Sequence, residues 1–445
     1  MKSRWISLIV FLSFTAIFFS LAPKSVPYLG GPSAWGDEDK LPFPKDATFT
    51  TLITTPRAIE GMTGDNHRNL YTGGTGTAPC PIWRINLHNP ALIEVGNVPA
   101  TLAASCAFTG IAFDDLGNLY QADGTAGRIY VVKPEATTPS PDATIFASGV
   151  PGTNGLAFDR HGNLWTSDGT TGQGRVWKIT GSGANCTSTA NMPDIINCEE
   201  VFRIQPMSNT VNLDADNVGG VGRDIRDLPP GTITVTPTSR NAANILGSQP
   251  LVANGLAFNK RGDLFNIDTA RGALWKIEFD LYGNLKSPTG CDTTFTSNTL
   301  CLSNVFVAHP ILEGGDGIAL DVFGNIWVDA NERNAVAFVT RQGKVFEVFR
   351  NPVNLPPPVP FGAGLRNAGD QNGVGNNHIL EFPTSPFLTG KVFCTSMSDG
   401  DRRDNSPRSA GEINAGAVQN GTNQLGKISC MDQELIIRGL RLPVE

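Results

Sequence analysis

Gly155-Leu-Ala-Phe-Asp-Arg-His-Gly-Asn-Leu-Trp165 is a hairpin written out in sequence: a short apolar run, a turn made by Asp and Gly, and a second run ending in an aromatic. The unit returns at Gly110–Tyr120, Gly255–Phe265 and Gly317–Trp327 with unchanged internal spacing, and more weakly at Gly61-Met62-Thr63 followed by Arg68-Asn69-Leu70-Tyr71. Several copies continue into a third strand, as in Arg128–Val132, Arg175–Ile179 and Ala273–Ile277, and often into a fourth, as at Ala143–Ala147. Four strands per repeat is the pattern of a propeller blade. A lone blade cannot bury both of its faces, so neighbours must stack and the ring must close. Five blades are visible in the motif. A sixth is inferred from Val392–Ser396 and Gly426–Ser429, with Thr48–Ile53 closing the ring against it. The expected fold is all-β: a six-bladed β-propeller with four-stranded antiparallel blades around a central tunnel.

Composition agrees. With 49 Gly, 31 Pro and only 17% charged residues, the chain is poor material for long helices and good material for short strands joined by turns. Its net charge of -7 comes without a cluster of Lys and Arg able to neutralise a row of phosphates, which argues against nucleic acid as a partner.

The N-terminus reads as an export signal. Lys2 and Arg4 precede an apolar run from Ile6 to Ala22, and a small-residue site stands at Ala34-Trp35-Gly36. The expected organisation is a signal peptide over 1–36 and one propeller domain over 37–445, secreted or periplasmic, with no stable membrane association once the signal is removed. An uncleaved N-terminal anchor is the competing reading. All eight Cys follow the signal, as suits an oxidising compartment. Their spacing suggests the local bridges Cys186–Cys198 and Cys291–Cys301 and the longer ones Cys80–Cys106 and Cys394–Cys430, although eight Cys allow 105 pairings. None lies in a Cys-x-x-Cys pair, so a thiolate zinc or thioredoxin-like site is not expected. Insertions around 181–250, 281–305, 351–376 and 400–425 read as loops, and 355–377 as a solvated loop or a lid over one face.

The residue before the first Gly of each copy is Glu60, Thr109, Asn154, Asn254 or Asp316. Because the register is constant, these residues hold equivalent places in successive blades, and on an innermost strand they point toward the tunnel. Four of the five carry carboxylate or amide oxygen, the hard donors that suit Ca2+. Asn-Gly and Asp-Gly are also favoured turn pairs, which accounts for any one of these sites alone but not for Glu before Gly61.

These motifs resemble the gluconolactonase and regucalcin group of six-bladed propellers, which carries Glu-Gly in the first blade and Asn-Gly or Asp-Gly in later ones. The resemblance implies that Glu60, Asn154, Asn254 and Asp316 are ligands of calcium. It implies a calcium-dependent hydrolase acting on a small lactone or ester, with Asp316 as general base and His378, entering the last blade, as a further catalytic candidate. Two alternatives stay open: a secreted recognition propeller whose calcium is structural, and an enzyme of the streptogramin-lyase type, whose Gly-Asn-Leu-Trp hairpins look similar. His309, His67, His88 and His161 read as turn or surface residues. Asp123, Asp168 and Asp268, which recur after the second strand, read as turn-forming.

Overall fold

A computed structural model describes residues 41–445, save 66, 170, 188–194, 207–250, 294, 313, 332–334, 351–379, 381, 398–425, 434–437 and 441–445. Its strands form six blades. The first comprises Met62–Gly64, Asn69–Gly73, Cys80–Asn86 and Ile93–Val98, and the second Phe108–Phe113, Leu119–Asp123, Arg128–Val132 and Thr144–Ser148. The third holds Thr153–Phe158, Leu164–Asp168, Arg175–Ile179 and Cys198–Arg203; the fourth Ala253–Phe258, Leu264–Asp268, Ala273–Ile277 and Val305–Ala308. The fifth holds Gly315–Leu320, Ile326–Ala330, Ala335–Val339 and Val345–Arg350. In the sixth, Pro383–Thr389, Val392–Met397 and Lys427–Asp432 are completed by the N-terminal strand Thr50–Thr54. The first strand of each blade contacts the first strand of the next, and the sixth contacts the first. The fold is therefore the six-bladed propeller expected from the repeat, closed by the strand expected to close it. A short parallel strand, Ala184–Asn185, adds a fifth member to the second blade.

The turn of each repeat explains its composition. Asp159 Oδ1 accepts the backbone N–H groups of His161 and Asn163, while its Oδ2 accepts from the Asn163 amide and from Trp165 Nε1. Asp114 and Asp321 bind their own turns in the same way. In the fourth blade amide and carboxylate trade places: Asn259 Oδ1 accepts from the turn and its amide donates to Asp263. The intervening Gly takes a left-handed φ, 74° at Gly117 and 79° at Gly162, which only Gly adopts without strain.

The aromatic that ends each unit packs onto the following blade. Tyr71 meets Phe113, Tyr120 meets Phe158, Trp165 meets Phe258 and Trp327 meets Phe393, with ring centroids 4.9–5.5 Å apart. The core thus lies between blades, which is why none of them is stable alone.

All eight Cys are paired in the four bridges that spacing suggested. Cys394 and Cys430 face each other across the second and third strands of the sixth blade. Four disulfides fit an oxidising compartment. No helix among the described residues is long and apolar enough to cross a membrane, and the signal-like segment over 1–36 lies outside the described residues.

Candidate metal centre

In the second to fifth blades the inner strand carries a bulge at the dipeptide that sequence singled out. Register breaks between Phe108 and Ile111, Thr153 and Leu156, Ala253 and Leu256, and Gly315 and Ile318. A bulge takes two residues out of the ladder and re-aims them. Here it turns one carbonyl per blade toward the neighbouring blade. A Cβ placed on Gly61 would lie 2.1 Å from the Thr109 carbonyl oxygen, on Gly110 2.1 Å from that of Asn154, on Gly255 2.3 Å from that of Asp316, and on Gly317 2.2 Å from that of Thr384. Any side chain at these positions would force the blades apart. Gly is required by this close approach between inner strands, not by a turn, so the turn reading of these dipeptides is replaced by a packing one.

The ring of equivalent positions is therefore Glu60, Thr109, Asn154, Asn254, Asp316 and, in the sixth blade, Thr384. Thr384 and Ser396 both donate to the Glu60 carbonyl, joining the last blade to the first. Thr384 escaped the sequence reading because Ser385 stands where the other blades have Gly and because the hairpin that follows lacks the Asp-x-x-Gly-Asn turn.

Three of the ring side chains engage a residue fifteen positions later, just past the end of the second strand. Asn154 lies against Gly169, whose added Cβ would come within 2.4 Å of the Asn154 Nδ2. Asn254 Nδ2 donates to Thr269 Oγ1 at 3.0 Å, and Asn331 Nδ2 donates to Asp316 Oδ2 at 2.9 Å. In an antiparallel hairpin the start of one strand and the end of its partner share an end of the sheet. The three side chains therefore sit at the same end of their blades. Asn154, Asn254 and Asp316 are 6%, 2% and 5% exposed, and Glu60 is half-buried. The constant offset of fifteen was present in the sequence as a findable signal.

Do these residues fit a cation? Thr269 has one hydroxyl proton, which it gives to the Gly315 carbonyl at 2.7 Å, so its oxygen accepts from the Asn254 amide. That fixes the amide's orientation and leaves buried Asn254 Oδ1 with no hydrogen-bond partner among the described residues. A buried carbonyl-type oxygen left without a donor is costly, and a cation would satisfy it. The donor set holds two carboxylates and two amides, all oxygen, matching a hard divalent ion in charge and chemistry. No group of three or more His, Cys, Asp and Glu able to hold a metal occurs among the described residues, so a zinc-like centre has no support there. The residues fit calcium.

The remaining candidates separate from this centre. Asp123, Asp168 and Asp268 each accept the backbone N–H three residues on, the turn role expected of them. Asp168 is paired with Arg175 and Asp268 with Arg271, both at 2.9 Å; burial raises both carboxyls above the usual range, against the pull of these arginines. His67, His88, His161 and His309 are exposed. His378 and the stretch read as a loop or lid lie outside the described residues.

The fold and the repeat define a six-bladed propeller with one oxygen-bearing residue at the equivalent place in four of its blades. Residues 209–368 match the SMP-30/Gluconolactonase/LRE-like region, a span that includes Asn254 and Asp316. This region is similar to the gluconolactonase and regucalcin group, the resemblance that the motifs implied. The Cell growth-regulated gene 1 protein of Candida albicans is 25% identical over 137 residues, which span 29% of this chain and 36% of that protein, about a third of its length. Among solved structures, the calcium-binding protein regucalcin of Agrobacterium tumefaciens is 13% identical with a TM-score of 0.47, over 91% of this chain and 98% of that one. A gluconolactonase of Xanthomonas campestris is 12% identical with a TM-score of 0.44, over 88% and 91%. Virginiamycin B lyase of Staphylococcus aureus is 12% identical with a TM-score of 0.40, over 86% and 98%.

Proposed function

We propose that this protein is a secreted, calcium-dependent hydrolase of a small lactone or ester, with Glu60, Asn154, Asn254 and Asp316 holding the ion. The observation that carries the reading is the recurrence of one oxygen-bearing residue at the equivalent position of four blades, with Asn254 Oδ1 buried and without a hydrogen-bond partner among the described residues. Bound calcium would supply Lewis-acid polarisation of the substrate carbonyl and stabilise the oxyanion that develops during attack. Asp316 is the residue assigned to accept a proton from the attacking water. The hydrogen bond from Asn331 orients its carboxyl for that role. Asn154 and Asn254 contribute neutral oxygen, so the two carboxylates alone balance the charge of a divalent cation.

The test is a panel of lactones and aryl esters assayed with calcium, after chelation, and with Asp316→Ala. The reading predicts turnover that needs both the ion and the carboxyl. Turnover indifferent to chelation would defeat the hydrolase reading. Calcium that raises Tm while no ester or lactone is consumed would favour a recognition propeller with a structural ion instead.

A further inference from the structure

The second strands carry a polar seam between blades, and one member of it is out of pattern. In the third blade, Ser167 Oγ donates to the Asn254 carbonyl of the fourth at 2.6 Å. In the sixth blade, Ser396 Oγ donates to the Glu60 carbonyl of the first at 2.5 Å. Both residues stand next to last on the second strand and face the following blade. The residue at that position in the fifth blade is Asp329, on Ile326–Ala330.

Asp329 is wholly buried. Its Oδ2 lies 2.6 Å from Thr395 Oγ1 of the sixth blade, and its Oδ1 has no hydrogen-bond partner among the described residues. Thr395 Oγ1 is also 3.1 Å from the Ser396 carbonyl, and the hydroxyl has a single proton to give. A carboxylate spreads its charge over both oxygens, and leaving one of them bare in a buried seam is among the costliest arrangements a protein can hold. A neutral acid lowers that cost: an uncharged carbonyl oxygen is far cheaper to bury unpaired than a carboxylate's charge, and its O–H supplies the proton that Thr395 lacks. The Asp329 carboxyl is correspondingly pushed well above the usual carboxylate range by burial, with only the Thr395 hydrogen bond opposing. On the strands packed around it, Pro383–Thr389, Val392–Met397 and Ala335–Val339 carry no titratable group, and Gly315–Leu320 carries only Asp316.

We propose that Asp329 is a protonated carboxylic acid that latches the fifth blade to the sixth, donating from Oδ2 to Thr395 Oγ1, which in turn donates to the Ser396 carbonyl. It occupies the place that a serine hydroxyl fills at two other seams. The latch lies between the blade of Asp316 and the blade that holds the Glu60 carbonyl, so it sets the spacing of the two carboxylates in the ring.

The sign of the linkage follows. Above the ordinary carboxylate range of about pH 4 the unfolded chain gives up the Asp329 proton and the folded chain keeps it. The contribution is complete below that pH and is lost as pH rises toward the folded value. The experiment compares wild type with Asp329→Asn, Asp329→Ser and Asp329→Leu by thermal melts across pH. Asn and Ser keep a neutral donor, so their Tm should match wild type near pH 4 and exceed it by a margin that grows with pH, whereas Leu should lower Tm at every pH. Isotope-edited infrared spectroscopy on wild-type protein should show a carboxylic-acid C=O band at neutral pH that Asp329→Asn removes. Equal loss of Tm in Asn and Leu with no change in pH dependence would overturn the proposal. So would absence of any such band in the wild type, a result that needs no variant to fold.

Discussion

Thr269 accepts a hydrogen bond from the Asn254 side-chain amide at 3.0 Å and spends its own proton on the Gly315 carbonyl of the next blade. One hydroxyl thereby sets the face that the amide turns to the ring and ties the fourth blade to the fifth.

Thr269→Val keeps the shape and removes both bonds. The amide of Asn254 is then free to rotate, and calcium affinity should fall about tenfold, the lower end of what loss of a ligand's supporting hydrogen bond costs. Calorimetric titration with calcium reads the change; an unaltered affinity would mean that the orientation of Asn254 does not matter to the ion.

Gly169→Ala tests Asn154 without touching it. Gly169 has no left-handed φ to strain, so the added methyl acts through its clash with the Asn154 amide, where a Cβ would lie 2.5 Å from the Asn154 Cβ. Calcium affinity should drop at least tenfold, by roughly 1.4 kcal/mol, and because the Asn154 Cβ cannot swing aside, a melt without calcium should also fall, by about 1–3 kcal/mol of overpacking.

Arg68 occupies the place that Gly holds in the other turns and carries a φ of 63°. Left-handed backbone costs an L-residue about 1–2 kcal/mol. Arg68→Gly should therefore raise stability by about 1 kcal/mol, a Tm gain of roughly 1 °C at this chain size. A lower Tm would show that the contact between Arg68 and His88 outweighs the strain.

Arg271 and Asp268 form a fully buried pair, and Arg271 also donates to the carbonyls of Gln205 and Pro206. Arg271→Met leaves the Asp268 carboxyl buried with its cation gone, at a cost of about 3–5 kcal/mol. Urea unfolding should show the loss. Because burial raises this carboxyl and Arg271 opposes the rise, the variant should also recover stability as pH falls and Asp268 takes up a proton.

The repeat of Gly, Asp or Asn, Gly and aromatic was enough to derive the blades, their turns and the closing strand, because each turn is satisfied within nine or so residues by its own Asp and Asn side chains. The four disulfides were legible for the same reason: each spans a short stretch or a pair of adjacent strands. Equivalence of Glu60, Asn154, Asn254 and Asp316 also followed from constant register alone. Thr384 did not, since its blade has lost the Gly and the turn that mark the others. The reason for Gly after each ring residue was not legible beyond a turn preference that could account for single sites, because the atom that excludes a side chain belongs to the next blade.

What the amino-acid order determined by itself was therefore everything local: strand, turn, register and the identity of one ring position per blade. Only the closed ring decided which carbonyl each glycine meets, that the Asn254 oxygen has no donor among the described residues, and that the buried Asp329 faces Thr395 across a seam between blades. Those are contacts between residues 46 to 336 positions apart, and an acid's protonation state depends on what surrounds it in space, which a single strand cannot specify.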